Sequence, residues 1–451
     1  ASFLDQSSLN IFQDGTKLKI KMIKLNPSNK LTGEIIVPSD KSISHRAAIL
    51  NSIAIGTSQI FNYSDGDDCL STLSILSNLG VRIEKSFSLN QLDLTIVGKG
   101  LHGLSKPLVP LDAGNSGTTT RLISGILSSA SFNSNLSGDK FLNNRPMKRI
   151  IDPLLEMGAK IQSDNFKAPL IFSPSKLNGI HYKMKIASAQ VKSCILIASL
   201  NASSPTTVSQ PALSRDHTEK MLESMGAKIG IDNLDIHIQP GPINAINMQV
   251  PGDISSAAFW IVAALIHPSG NLTLKNVCVN KTRRGIIDIL IKMGGNIKLY
   301  NEKIIANEPV CDIDVKHSNL RGATIEGDLV PFLIDEIPII VVAAALSKGE
   351  TIIRDASELR VKETDRLLAM SNFLSISGVK HKLYKDGLKI IGGSELLGGS
   401  FKSYDDHRIA MSIAISSVVA KNETIIDDHE VASISYKSFW HHFNYVTGSN
   451  V

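Results

Sequence analysis

Aromatic residues fill only 5% of the 451 positions, too few for a base-stacking nucleic-acid surface. No dense block of Lys and Arg occurs. The 47 basic and 42 acidic side chains leave a formal net charge of +5, which argues against a polyanion strip and suits a small anionic substrate. The four cysteines, Cys69, Cys194, Cys278 and Cys311, lie far apart with no CxxC pair. Neither a disulfide framework nor a zinc site is expected, and a reducing cytoplasm fits best. The longest apolar runs, 257–266 and 337–346, are too short to span a bilayer and suit buried helices. Residues 1–21 lack the cationic start and apolar stretch of a secretory signal. They read as a leader or an extension outside the core, and a more regular segment opens at Met22.

Hydrophobic residues make up 43% and charged residues 20%, so a sizeable core is expected. The length points to two large domains or several repeated small ones. Five segments share one pattern: an amphipathic helix, a Gly, then a short strand. They start at residues 69, 149, 218, 285 and 365, with Gly80, Gly158, Gly226, Gly294 and Gly378 as stops. Each Gly suits a left-handed helix end, and the spacing suits a βαβ-type unit. A second echo pairs VPSDKSISHRAAIL (37–50) with VPGDISSAAFWIVAAL (250–265). Two similar lobes are expected, divided near 38–41 and 250–253.

Several segments carry groups fit for anions. In PSDKSISHR (38–46) a helix start offers free amides and a positive dipole end; Lys41 stands at its mouth, and Ser42 and Arg46 share a face. In DAGNSGTTTR (112–121) two glycines permit close backbone approach before a helix, without a Walker ending. Arg145, in a loop, offers a planar fork for carboxylate or phosphate. Ser188 and Gln190 precede an apolar stretch, and Arg215 in SRDH (214–217) is another anion ligand candidate. Each of these alone is matched by an ordinary helix cap or solvated charge. Asp335 and Glu336 interrupt an apolar run, where a carboxylate is costly unless paired or functional. Asp335 suits a general base or, more plainly, a helix cap. RVKETDR (360–366) and DDHR (405–408) are dense in charge; on one helix Lys362 and Arg366 would share a face, with Glu363 beside Arg366.

Taken together and in order, DKSISHR, GNSGTTTR, RPM, ASAQVKS, SRDHTEK, IDE, RVKETDR and DDHRIAM resemble the EPSP synthase family, the 3-phosphoshikimate 1-carboxyvinyltransferases. The resemblance runs from about residue 24 to about residue 430, and the RDHTEK and ASAQVKS forms are similar to the bacterial class II subgroup. It implies an α/β (α+β) fold of two lobes, each with three βαβαββ-like units, in an inside-out barrel. One lobe would comprise 39–251, the other 22–38 with 252–451. It implies two small-molecule substrates and a monomer, with no cofactor, metal, nucleic acid or membrane. Shikimate 3-phosphate would meet Lys41, Ser42, Arg46, Ser188, Gln190, Arg215, Asp335 and Lys362. Phosphoenolpyruvate would meet Lys41, Asn115, Gly117, Arg145, Gln190, Arg366 and Arg408. Asp335 would act as base and Glu363 as proton donor, assisted by Lys41 or His407. One departure stands out: the family's C-terminal lysine is displaced here to Lys437, which receives no role. The alternatives are a UDP-N-acetylglucosamine enolpyruvyl transferase, which uses a loop Cys absent near Arg145, an RNA-end-processing relative, and a noncatalytic anion-binding relative.

Overall fold

The computed structural model describes residues 9–13, 16–20, 22–88, 91–393 and 395–450. The leader expected at 1–21 lies partly outside them; within it Leu9–Gln13 pairs antiparallel with Thr16–Ile20. The chain divides into a central unit, Ser39–Pro251 with Lys303–Val310, and a split unit built from the segment ending at Pro38, Gly252–Glu302 and Cys311–Val451.

One sheet pattern recurs in both units. In the central unit Met248–Gln249 lies parallel to Thr57–Tyr63, followed by Gln91–Val97 and Arg82–Ser88. The second sheet runs Leu111–Asp112, Ser134–Ser137, Lys167–Ser173, Lys160–Asp164, and the third His181–Lys183, Thr206–Ser209, Asp235–Ile238, Ile229–Asp232. Each opens with a parallel pair and closes with a hairpin. The split unit repeats this from Leu31–Ile35 beside Gly270–Cys278 and from Thr324–Ile325 beside Gly349–Ile353; its third sheet keeps the parallel pair, Ser400–Phe401 beside Thr424–Ile426, but has a single antiparallel strand in place of the hairpin. Two strands of these sheets come from the segment that ends at Pro38. Leu31–Ile35 pairs with 270–274, and Ile23–Leu25 pairs with Thr424–Ile426.

The five glycine stops are all left-handed, with φ of +86° (Gly80), +98° (Gly158), +84° (Gly226), +94° (Gly294) and +74° (Gly378). A side chain there would meet the steric penalty that glycine avoids. A sixth stop, Gly448 at φ +71°, ends the helix Phe439–Thr447.

Between the sheets run six buried helices: Lys41–Ser52, Gly117–Leu127 and Ala189–Ser199 in the central unit, and Ile254–Ile266, Ile337–Leu346 and His407–Ser417 in the split unit. Every residue of Ile254–Ile266 is buried, as expected for a helix apolar on all sides. Five of the six spend a side chain on their N-cap. Asp40 accepts from Ile43 N, Ser116 from Thr119 N, Ser188 from Val191 N, Asp253 from Ser255 N and Asp406 from Arg408 N. Such caps satisfy amides that the helix leaves orphaned. Ile337–Leu346 has no side-chain cap. It follows a 3₁₀ turn, Ile334–Glu336, and carries Pro338 in its first turn. Asp335 is therefore not a helix cap.

Candidate functional site

In the central unit, expected anion ligands gather at the starts of the three buried helices. Lys41 opens the first, and its Nζ lies 3.2 Å from Asp68 Oδ2. Gly117 opens the second. A Cβ placed there would stand 2.7 Å from Arg121 Nη1 and 3.4 Å from Arg145 Nη1, so two guanidiniums close on this bare backbone. Arg145 Nη2 donates to Asn115 Oδ1 at 2.5 Å, and Asn115 Nδ2 donates to Asp139 at 2.9 Å. Ser188 caps the third helix. Gln190 bridges two helix starts: its Oε1 accepts from Arg121 Nη1 at 2.8 Å and its Nε2 donates to Thr118 Oγ1 at 2.9 Å. Three helix N-termini held this way favour bound negative charge.

Arg46 sits deeper than its expected role suggests. It is 2% exposed and donates to Ser42 O, Ser193 Oγ and Thr218 Oγ1 at 2.7–2.8 Å. Burial lowers its pKa to about 10, against the pull of Glu219, so it stays a cation at neutral pH. Arg215 is half-buried on the loop before His217–Ser224. That loop is anchored by Lys192, which is wholly buried, lies 2.6 Å from Glu219 Oε1 and donates to Gln210 and to Ser214 O.

The split unit gathers the carboxylates. Asp335 Oδ1 faces Lys362 Nζ at 3.4 Å and Arg366 Nη1 at 3.6 Å, while its carbonyl accepts from Arg408 Nη1 at 3.0 Å. Lys362 and Arg366 do not share one helix. Lys362 caps a 3₁₀ turn, Ser357–Val361, and the helix Arg366–Ile376 begins only at Arg366. Both nonetheless reach Asp335. Arg366, 2% exposed, is gripped by Asp406 through Nε at 2.7 Å and Nη2 at 3.3 Å, and Nη2 also meets Glu363 at 2.7 Å. Burial opposes its charge, but Asp406 and Glu363 outweigh that and hold it protonated. Burial alone would raise the pKa of Glu363; Arg366 and then His407 reverse this and bring it down to about 2. Glu336, 1% exposed, accepts from Ser255 Oγ and from Arg408 Nη1. Arg283 stands behind them and donates to Ser255 Oγ at 2.8 Å and Asp253 Oδ1 at 3.2 Å.

Sequence reading missed several members. Asp406 stood inside DDHR ahead of an apolar run, a cap signal that hid its second bond to Arg366. Arg121, Glu336 and Lys192 lay inside quoted segments and received no role. Asp68 had no local signal, since its partner Lys41 is far away in sequence. Lys437 is exposed, in the turn before Phe439–Thr447.

All four cysteines are buried. Burial raises the thiols of Cys69 and Cys194 far above the usual range and that of Cys311 to about 12. None of these three is poised as a thiolate nucleophile.

The fold and these helix-start clusters define an α/β protein of repeated units whose helix N-termini, cations and paired carboxylates suit small anions. The profile of EPSP synthase (3-phosphoshikimate 1-carboxyvinyltransferase) matches residues 25–443. A 3-phosphoshikimate 1-carboxyvinyltransferase of Syntrophomonas wolfei is 48% identical over 431 residues, covering 94% of this chain and 100% of that protein. Another, from Thermoanaerobacter sp. (strain X514), is 48% identical, covering 94% and 99%. Among solved structures, EPSP synthase from Acinetobacter baumannii superposes with a TM-score of 0.86 at 40% identity, covering 94% and 98%. The chain belongs to the EPSP synthase family.

Proposed function

We propose that the groups assembled in the two units carry out enolpyruvyl transfer from phosphoenolpyruvate to the 5-hydroxyl of shikimate 3-phosphate. The products are 5-enolpyruvylshikimate 3-phosphate and phosphate, a step of aromatic amino-acid biosynthesis. The observation that carries the reading is Asp335. It is the carboxylate that its helix does not use as a cap, and it faces Lys362 and Arg366 with Arg408 on its own carbonyl.

Asp335 takes the proton of the 5-hydroxyl as that oxygen bonds to C2 of phosphoenolpyruvate. C3 gains a proton. The tetrahedral phospho-ketal then loses phosphate, and a proton leaves C3 as the double bond re-forms. Lys362 and Arg366 restrain Asp335 until incoming anions compete for them. Glu363, held near 2 by Arg366 and His407, has no proton to give at neutral pH in this state. It becomes the donor to C3 only once substrate anions offset the charge of Arg366, with His407 or Lys41 supplying the proton. In the central unit, Lys41, Gly117, Arg145 and Gln190 take phosphoenolpyruvate with Asn115 shaping the pocket, and Ser42, Ser188 and Arg215 take the acceptor, with Arg46 beneath them. In the split unit, Arg366 and Arg408 take phosphoenolpyruvate and Lys362 the acceptor. Fixed cations of this kind stabilise charge on the departing phosphate.

The test is phosphate release from the two substrates together, with UDP-N-acetylglucosamine as the competing acceptor. Asp335→Ala and Glu363→Ala should each lose at least about a hundredfold in turnover, and Lys41→Met should weaken both substrates. Near-parental release by the Asp335 variant would remove it from the base role. Release with the nucleotide sugar alone would overturn the assignment of acceptor.

A further inference from the structure

Three helices of the central unit are tied together by side chains to which the reaction gives no task. His45 Nδ1 lies 2.8 Å from Thr72 Oγ1, which lies 2.7 Å from Thr119 Oγ1. Thr119 Oγ1 in turn lies 2.7 Å from Ser116 Oγ and 3.2 Å from the carbonyl oxygen of Asp68. His45 belongs to the helix Lys41–Ser52, Thr72 to Asp67–Asn78, and Thr119 to Gly117–Leu127, which Ser116 caps. None of the four side chains is more than 2% exposed.

Thr119 Oγ1 is the donor to Ser116 Oγ. The Asp68 carbonyl is the longer contact of both threonines, at 3.2 Å from Thr119 Oγ1 and 3.5 Å from Thr72 Oγ1. The three contacts of 2.7–2.8 Å need three protons. Each hydroxyl carries one, and Thr119 spends its own on Ser116, so Thr72 supplies the proton between the two threonines and the imidazole supplies the proton to Thr72. His45 Nδ1–H donates to Thr72, Thr72 donates to Thr119, and Thr119 donates to Ser116. The ring is neutral and has a single N–H, because burial lowers its pKa to about 3; Asp68 pulls against this while Lys41 and Arg46 reinforce it. That N–H is then on Nδ1. Buried contacts of this kind are costly to leave unmade.

We propose that His45 is a positioning residue for the anion site of the central unit. As the Nδ1–H tautomer it starts a one-way run of donors through Thr72 and Thr119. The run ties the helix Asp67–Asn78, and with it Asp68, whose carboxylate holds Lys41 at 3.2 Å, to the start of the helix that opens at Gly117. It thereby sets Lys41 and the first amides of that helix for phosphoenolpyruvate. The functional half of this inference rests on the enolpyruvyl-transfer reading; the tautomer does not.

Two measurements on the full chain test it. Long-range ¹H–¹⁵N spectra of the histidines, with His45→Gln to assign the signal, should show Nδ1–H at His45. Thr72→Val should raise KM for phosphoenolpyruvate about tenfold and change kcat by less than about threefold, the scale of one lost buried hydrogen bond. Thr72→Ser should restore the parental KM. An Nε2–H ring overturns the proposal. So does a Thr72→Val enzyme that melts earlier with an unchanged KM, since the chain would then be structural only. If the parent releases no phosphate from the two substrates, the functional reading fails, and the spectrum alone decides the tautomer.

Discussion

Removing Asp406 separates two tasks that one side chain performs. It is wholly buried, accepts from Arg366 through both oxygens, and accepts from Arg408 N at the start of His407–Ser417. Asp406→Ala loses the cap, worth about 1 kcal/mol. It also breaks a buried ion pair, which typically costs about 3–5 kcal/mol. Arg366 keeps Glu363 at 2.7 Å and Asp335 at 3.6 Å, so the pair term falls at the lower end and the total is about 4 kcal/mol. Asp406→Asn retains a capping oxygen and one acceptor for Arg366 but no charge, and should cost about 2 kcal/mol. The chain's two tryptophans, Trp260 and Trp440, both lie in the split unit. Urea unfolding followed by tryptophan fluorescence therefore reads that unit alone. Phosphate-release kinetics on the same variants should show KM for phosphoenolpyruvate rising in both, because Arg366 is freed to swing. Equal costs for Ala and Asn, or a cost below about 1 kcal/mol for Ala, would refute the division of labour.

Other outcomes follow from the same geometry. Gly117→Ala needs no backbone strain, but its Cβ falls 2.7 Å from Arg121 Nη1; KM for phosphoenolpyruvate should rise about tenfold with stability changed by less than about 0.5 kcal/mol, read by steady-state kinetics and melting. His45 is neutral in the fold with a pKa of about 3, while the unfolded chain protonates it near 6.5. Its contribution is therefore full above pH 6.5 and is lost as pH falls toward 3. Between pH 7 and 5 the loss is about 2 kcal/mol, and His45→Gln should flatten that part of the circular-dichroism melting profile. Lys192→Met strands the buried Glu219 and should cost about 3–5 kcal/mol, most of it recovered by adding Glu219→Gln; denaturant titrations of the three variants would decide.

Much of the fold was legible because its grammar is local. A helix, a left-handed Gly and a strand lie within about twenty residues, and five such strings were visible. The sixth was not. Its stop, Gly448, ends the helix Phe439–Thr447, but the strand that completes its sheet is Ile23–Leu25, at the other end of the chain. Site chemistry was legible where groups sit on helix starts, as at Lys41 and Gly117. It failed where pairing is long-range. Nothing near Arg366 announces that Asp406, forty residues on, will hold it, and nothing in KSISHR announces that Arg46 will be buried with bonds to Ser193 and Thr218. Lys362 and Arg366 were expected on one helical face; the helix starts later, and a 3₁₀ turn brings Lys362 to Asp335 instead.

The two strands drawn from the segment that ends at Pro38 also dictate an order of assembly. As the chain leaves the ribosome, Ile23–Leu25 and Leu31–Ile35 emerge ahead of the segment 39–251, yet their partners at 424–426 and 270–274 are made hundreds of residues later. The segment 39–251 holds all of its unit except Lys303–Val310 and can close while synthesis continues. The early strands must wait through that interval as unpaired edges, which attract other chains. Both are short, and Leu31–Ile35 carries Gly33 at its centre, which weakens it as a template for the wrong partner.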